Sequence, residues 1–426
     1  LKTRPDDPAA AARESHNILR IEVYQILARM GWILKTETVI MPAVLDALVD
    51  SGILRGLLPA LNRGGHSLPP LVVAGTVARL PRKRSALCAT MLLMAICFGI
   101  LSLAWGPLAT TRPDLLAVIF LVAYTAFGIF NGVNNLLLAT LQGKLITPGN
   151  RGRAMLVSAT VGSALAITGA IFILGPWIAE PGGFPKIFGA TAFFFALASI
   201  VPLSLEEPVD AAPARAPGQG LWRRLEGGVI EWKQTLAADP ALRRFAGVVV
   251  CFSGVLMLFP HYQAFARDSL GTTRGSLLGW VVAQNVTTAL ASLVAGPLAD
   301  RRGTRIVLIW LVGLSSLTPL VVVLVSMLPA AVAGEWFWLV YVPLGFNPLA
   351  LRIFTGYALE LAPTPADHPR YVSVIGGALA IPFICSPLVG YAVDALGFGI
   401  VFVAGAAVIA TGCLVAMSLP EPRKGH

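Results

Sequence analysis

Between Glu22 and Glu37 the chain threads Gln25, Arg29, Lys35 and Thr36 through an otherwise apolar run. At about 100° per residue, Glu22, Gln25, Arg29, Thr36 and Glu37 fall within about a third of a helix circumference. Lys35 points about 160° away from Glu37 on the same wheel and needs a separate partner or water. Downstream, Asn62, Arg63 and His66 interrupt a second apolar run, with Arg63 and His66 three apart and so on adjacent faces. Asn131, Asn134 and Asn135 share a face near Tyr124. Later runs hold His261 with Tyr262, Gln284 with Asn285, and Asn347 with Arg352.

A carboxylate among hydrocarbon side chains exchanges a proton more readily than it keeps a charge, and a neighbouring arginine controls that exchange. Glu37 and Arg63 lie at similar depth, each about nine residues from the intervening loop, which makes them the preferred pair and the expected proton-coupling groups. Arg29, Lys35 and Arg352 supply positive potential for an anionic or strongly polar solute. His66, Asn131, Asn135, His261, Tyr262 and Gln284 add hydrogen bonds that would orient it. The competing reading is structural: the charges neutralise one another and the polar side chains knit helices together. Glu360 and Asp394 lie near run ends and read as structural.

The elements that must hold these groups are membrane spans. Apolar residues make up 56% of the chain and charged ones 13%, so few ionic groups are present to cover the apolar surface in water. Ionisable groups at bilayer depth cost roughly 2.5–3.5 kcal/mol each on insertion scales, and so face a bundle interior or a cavity. Runs long enough to cross hydrocarbon, about 20 residues, fall near 20–46, 54–79, 85–106, 114–142, 152–178, 183–205, 242–266, 276–299, 304–328, 336–361, 370–394 and 397–419. Cys88, Cys97, Cys251, Cys385 and Cys413 all lie inside such runs without paired spacing, and read as apolar fillers.

The net charge of +10 does not mark a nucleic-acid binder, because the basic residues sit in short connectors rather than on one soluble face. With both termini inside, connectors alternate. The inner side then receives Arg79, Arg82, Lys83, Arg84, Lys144, Arg151, Arg153, Arg243, Arg244, Arg301, Arg302, Arg305 and Arg370 among others. The outer side receives Arg55, Arg112, Lys186, Arg267 and Arg274. The polar start of the chain holds no signal-peptide core, and the preference for Arg over Lys fits a bacterial inner membrane.

The chain also repeats itself. The stretch from Gly152-Arg153-Ala154 to Ser204-Leu205-Glu206-Glu207-Pro208 recurs from Pro369-Arg370-Tyr371 to Ser418-Leu419-Pro420-Glu421-Pro422. Residues 1–205 and 242–426 read as two related six-helix bundles. The connector 206–241 reads as a cytoplasmic Ala/Pro/Gly linker followed by an interfacial helix from Leu221 to Lys233.

Gly296-Pro297-Leu298-Ala299-Asp300-Arg301-Arg302-Gly303-Thr304-Arg305 resembles the signature loop of the major facilitator superfamily. The resemblance extends over the spans, the two halves and the central loop. It implies an all-α membrane fold of twelve transmembrane helices in two pseudo-symmetric bundles, and a conformational latch of Asp300, Arg301 and Arg305 with Arg370. The first half departs from the motif: Gly75-Thr76-Val77-Ala78-Arg79-Leu80-Pro81-Arg82-Lys83-Arg84 aligns without gaps but places Arg79 where Asp300 stands. Gly162, Gly169 and Gly175-Pro176 are out of the spacing of the drug/proton antiporters in that family, which counts against multidrug efflux.

The function expected is secondary active transport of a small polar or anionic organic solute by alternating access, coupled to protons, in a monomer needing no cofactor or metal. Two rivals are efflux or flipping of an amphiphilic drug or lipid, and a non-transporting assembly factor or receptor on the same scaffold. Enzymatic activity is not expected, since no metal-ligand cluster, nucleophile elbow or phosphate-cradling glycine loop stands out in the sequence.

Overall fold

A computed structural model describes residues 8–147, 161–162, 164–165, 167–180, 182–209, 221–364 and 367–422. Along these the chain forms α1 (Pro8–Leu34), α2 (Ile40–Asp46), α3 (Gly52–Ala78), α4 (Arg84–Leu108), α5 (Pro113–Leu145), α6 (Ile167–Ala179) and α7 (Gly183–Ile200). There follow α8 (Leu221–Ala238), α9 (Pro240–Leu270), α10 (Ser276–Arg302), α11 (Thr304–Ser326), α12 (Ala330–Trp336), α13 (Tyr341–Leu344) and α14 (Asn347–Leu361). The last are α15 (His368–Ala380), α16 (Ser386–Leu396) and α17 (Phe398–Met417). The start of the fifth expected span, with Gly152, Arg153 and Ala154, and the linker 210–220 lie outside the described residues.

Among the described residues nine helical stretches are long and apolar enough to cross a membrane. In one of them, Ser276–Ala299, only 17% of the apolar window is buried within the structure. The two 27-residue helices α1 and α3 fall outside that group. They carry Arg20, Glu22 and Arg29, and Asn62, Arg63 and His66, which dilute their apolar character.

Helix ends follow local chemistry. Asp239 accepts from the amides of Ala241 and Leu242 at 2.8 and 3.1 Å, and Pro240 at the first helical position lacks an N–H that would have gone unpaired. At the other end of α9, Gly271 has φ +63°, the left-handed conformation that closes a helix and that glycine adopts without strain.

The first and tenth expected spans are broken, and the eleventh is interrupted by a 3-10 stretch, Ile381–Cys385, between α15 and α16. The first was read as one helix over 20–46, but α1 stops at Leu34 and residues 35–39 form a non-helical turn before α2. Thr36 Oγ1 donates to the Ile33 carbonyl at 2.7 Å and competes with the helix ladder, and the β-branched Thr38 and Val39 follow. The polar stripe therefore ends at Arg29, and Glu37 belongs to the turn rather than to a helix face. The tenth expected span is interrupted between Trp336 and Asn347, where the Gly345 carbonyl accepts from Thr288 Oγ1 at 2.7 Å. Irregular backbone at such depth is tolerated where protein or a cavity supplies its hydrogen bonds.

The chain divides into two compact units, Leu1–Thr36 with Gly64–Leu221 and Glu37–Arg63 with Trp222–His426. In the first, α4 packs against α5 and α7, and α7 against α1. Phe98, Phe127, Phe188 and Phe195 stack at its centre with ring centroids 5.2–6.0 Å apart. In the second, α17 packs against α9 and α11, and Trp280 stacks on Tyr341 at 5.1 Å.

The repeat read in the sequence has a physical counterpart. In the first unit the buried Glu207 carboxylate accepts from the amides of Lys83, at 2.8 and 2.9 Å, and Arg84, at 2.9 Å, and so caps α4. Lys144 Nζ pairs with it at 3.0 Å, and Arg84 Nη1 donates to the Leu203 carbonyl at 3.3 Å. In the second unit Arg305, aligned with Arg84, donates to the carbonyl of Met417, aligned with Leu203. Glu421, aligned with Glu207, places its carboxylate against Gly303 at the start of α11, where any side chain would collide with it.

Replacing Glu207 with Gln removes the charge that three amide bonds and Lys144 address. We expect Glu207→Gln to lower stability by about 2 kcal/mol, in thermal unfolding of the detergent-solubilised protein. The neighbouring exposed Glu206→Gln should change it by no more than about 0.5 kcal/mol.

Candidate functional site

In the first unit, Lys35 and His66 converge on α5, which carries Asn131 and Asn135. Lys35 is fully buried, its Nζ 3.5 Å from the centroid of the Trp32 ring, 4.2 Å from Phe127 and 5.9 Å from Tyr124. A desolvated ammonium over aromatic faces gains about 2 kcal/mol from their quadrupoles. The partner that the helical wheel demanded for Lys35 thus includes an aromatic cage.

One turn further along α5, Asn131 Nδ2 lies 3.1 Å from His66 Nδ1, and Asn135 Nδ2 donates to Asn131 Oδ1 at 3.0 Å. Asn131 and Phe127 are four residues apart, which places the amide cluster about 6 Å along the axis from the cage. Gly65 and Gly132 make this possible. A methyl group on Gly65 would come 2.8 Å from the Gly128 carbonyl carbon, and one on Gly132 would come 2.5 Å from the His66 oxygen. The backbones of α3 and α5 therefore touch, as small residues allow.

A second polar group lies behind this face. Tyr24 Oη donates to Asn134 Oδ1 at 2.7 Å, and Asn134 Nδ2 donates to Thr90 Oγ1 at 3.0 Å, joining α1, α5 and α4. Asn134 thus serves as a buried helix tie, whereas Asn135 is exposed. Arg29 is half-buried, with its aliphatic stem against Gly162.

In the second unit, Glu37 sits half-buried in the 35–39 turn, and Arg63 is half-buried on α3. The ion pairs described in this stretch join Arg55 and Arg267 to Asp46 and Asp50. Thr38 Oγ1 donates to Gln284 Oε1 at 2.6 Å. His261 is fully buried on α9, with neither ring nitrogen hydrogen-bonded among the described residues, and the Tyr262 hydroxyl is likewise unbonded. The Tyr262 ring packs 5.1 Å from Phe402, and Asn347 Oδ1 accepts from Ser315 at 3.1 Å. Arg352 is exposed on α14.

Of the expected latch, the Asp300 side chain lies outside the described residues. Arg301 is exposed, Arg305 fastens the end of α17, and Arg370 faces Glu231 of α8 at 3.5 Å. Near Arg370, the Trp232 indole donates to the Val374 carbonyl at 3.0 Å.

The sequence reading passed over the Asp46–Asp50–Arg55–Arg267 cluster, treating both arginines as loop charges. Three ionic residues within one short connector, in a chain only 13% charged, were the available signal.

A family model described as Major Facilitator Superfamily matches residues 64–346. Among solved structures, a POT family transporter in complex with 5-aminolevulinic acid is similar at 12% identity and TM-score 0.73, covering 95% of this chain and 96% of that one. The nucleoside transporter NupG is similar at 12% identity and TM-score 0.62, covering 94% and 98%. A bacterial homologue of the human lysosomal transporter Spinster, inward-facing and unoccupied, is similar at 13% identity and TM-score 0.63, covering 97% and 98%. No curated protein sequence matches. At these identities the likeness concerns the fold.

Asn134→Leu keeps the branching at the γ carbon but removes the acceptor for Tyr24 and the donor to Thr90. Thermal unfolding should register a loss of about 1–3 kcal/mol. Asn135→Leu, at the open end of the amide cluster, should cost less than about 1 kcal/mol.

Proposed function

The chain belongs to the major facilitator superfamily and is a secondary transporter; from that premise we propose that it moves a small polar or anionic organic solute by alternating access, driven by protons. The observation that carries this reading is Lys35, a fully buried cation held over Trp32 and Phe127 one helical turn from the His66–Asn131–Asn135 cluster. Aromatic faces stabilise an ammonium without neutralising it. The exposed amide of Asn135 offers a donor beside that charge. Carboxylate, phosphate or sulfonate solutes fit this pairing better than an apolar drug does.

Glu37 is the proposed proton carrier, with Arg63 controlling its charge. Its place in a non-helical turn gives it freedom to change partners between states. Arg29, Arg352, His261, Tyr262 and Gln284 are proposed as further solute contacts. Asp300, Arg301, Arg305 and Arg370 are proposed as the group that changes partners as the inner side opens. Residues 1–205 and 242–426 would be the transporting repeats and 206–241 their cytoplasmic tether. Both termini would lie in the cytoplasm of a bacterial cell, with the protein working as a monomer in the inner membrane.

Reconstitution into liposomes tests the reading. Uptake of an organic anion should follow an imposed pH gradient. Lys35→Met should raise KM at least tenfold, whereas Lys35→Arg keeps part of the affinity. Glu37→Gln should abolish gradient-driven uptake while leaving solute exchange intact. Gradient-driven uptake at wild-type rate in Glu37→Gln would remove that residue from the mechanism. Unaltered KM in Lys35→Met would remove the anion site.

A further inference from the structure

The two units treat their buried polar atoms differently. In the first, side chains pair directly, Tyr24 with Asn134 and Asn134 with Thr90. Among the described residues, its one buried side-chain nitrogen or oxygen without a hydrogen bond is Arg20 Nε; the others lie in the second unit. Four of these are Tyr262 Oη on α9, Thr318 Oγ1 on α11, Tyr341 Oη on α13 and Asn347 Nδ2 on α14. Tyr262, Thr318 and Tyr341 have no exposed surface and Asn347 is 4% exposed. The elements that carry them are neighbours, α11 packing against the other three.

The four atoms fall into two pairs. The Tyr262 hydroxyl lies within electrostatic reach of Tyr341, whose ring is fixed by stacking on Trp280 at 5.1 Å. Asn347 Oδ1 accepts from Ser315 at 3.1 Å, and Thr318, three residues further on, shares that side of α11. Pro319 follows inside the helix and has no N–H for the Ser315 carbonyl, which leaves a further acceptor there.

Thr318 is the informative case. Thr90, Thr191 and Thr235 are also buried in helices, and each returns its hydroxyl to the carbonyl four residues back, at 3.0, 2.8 and 2.7 Å. Thr318 makes no such bond, so its hydroxyl addresses something other than its own backbone. A buried polar atom left unbonded costs more than a hydrogen bond gains, and native interiors hold few of them.

The chemistry of the set selects the occupant. All four groups are neutral, so an ion would find no counter-charge among them. An organic solute needs room that side chains so fully buried do not leave. Hydroxyls give and accept while the amide gives, and water meets both roles with two to four partners at once.

We propose that the second unit encloses a water site, in which bound water bridges Tyr262 to Tyr341 and Thr318 to Asn347. The bridges tie α9 and α11 to the broken tenth span, where the first unit uses direct side-chain bonds. The inference concerns the second unit alone and stands whichever solute is carried.

X-ray radiolytic labelling of the full chain in lipid nanodiscs tests it, because hydroxyl radicals born from bound water oxidise the side chains beside it. Tyr262 and Tyr341 should be oxidised at least tenfold faster than Tyr24 and Tyr357. Those two are equally buried, but their hydroxyls bond to Asn134 and to the Pro420 carbonyl. Equal rates for all four tyrosines overturn the proposal. Thermal unfolding adds a readout whose sign decides. Tyr341→Phe and Thr318→Val each remove a bridged hydroxyl and should lower the unfolding temperature by about 2 °C. A hydroxyl with no bridge is a burden, and its removal raises that temperature. A rise in both variants overturns the water site, and labelling of the unaltered chain decides the question even where a variant does not fold.

Discussion

Lys35 sets the terms for the first unit. An ammonium with no exposed surface cannot be solvated by water, and hydrocarbon offers it nothing. Trp32, Phe127 and Tyr124 answer with their ring faces. That answer in turn fixes where α5 must run past the end of α1, and where Phe127 can pack against Phe98 and Phe195. Removing the charge would leave a good aromatic core. Keeping it at such expense is the strongest physical reason to place function here.

The same constraint is met differently at the ends of the helices. Glu207 is buried yet surrounded by donors: two amides opening α4 and the Lys144 ammonium. Asp46 is buried between two guanidiniums. One carboxylate is held by a helix end and a lysine, the other by guanidiniums on two separate elements.

The sequence made the fold legible because hydrophobic length and the repeat are both written in residue type. The alignment of 75–84 with 296–305 places Arg84 opposite Arg305, and each donates to a backbone carbonyl at a matching position of the repeat, Leu203 and Met417. The Glu-Pro endings near 207 and 421 were legible as a repeat, but their capping role was not, since nothing local says which helix start a carboxylate will meet. His66, Asn131 and Asn135 were read as separate polar residues and meet in space. Their grouping depends on Gly65 and Gly132, whose effect is visible only once the partner helix is known.

The helical wheel failed at one place for an instructive reason. It assumed a constant 100° step through residues 20–46, whereas Thr36 returns its hydroxyl to the Ile33 carbonyl and the helix ends at Leu34. A rotation of register follows, and Glu37 leaves the face that Glu22 and Arg29 share. Apolar composition cannot reveal such a break, because the turn 35–39 is as buried as a span. Yet the break also explains the division of the chain, which falls between Thr36 and Glu37.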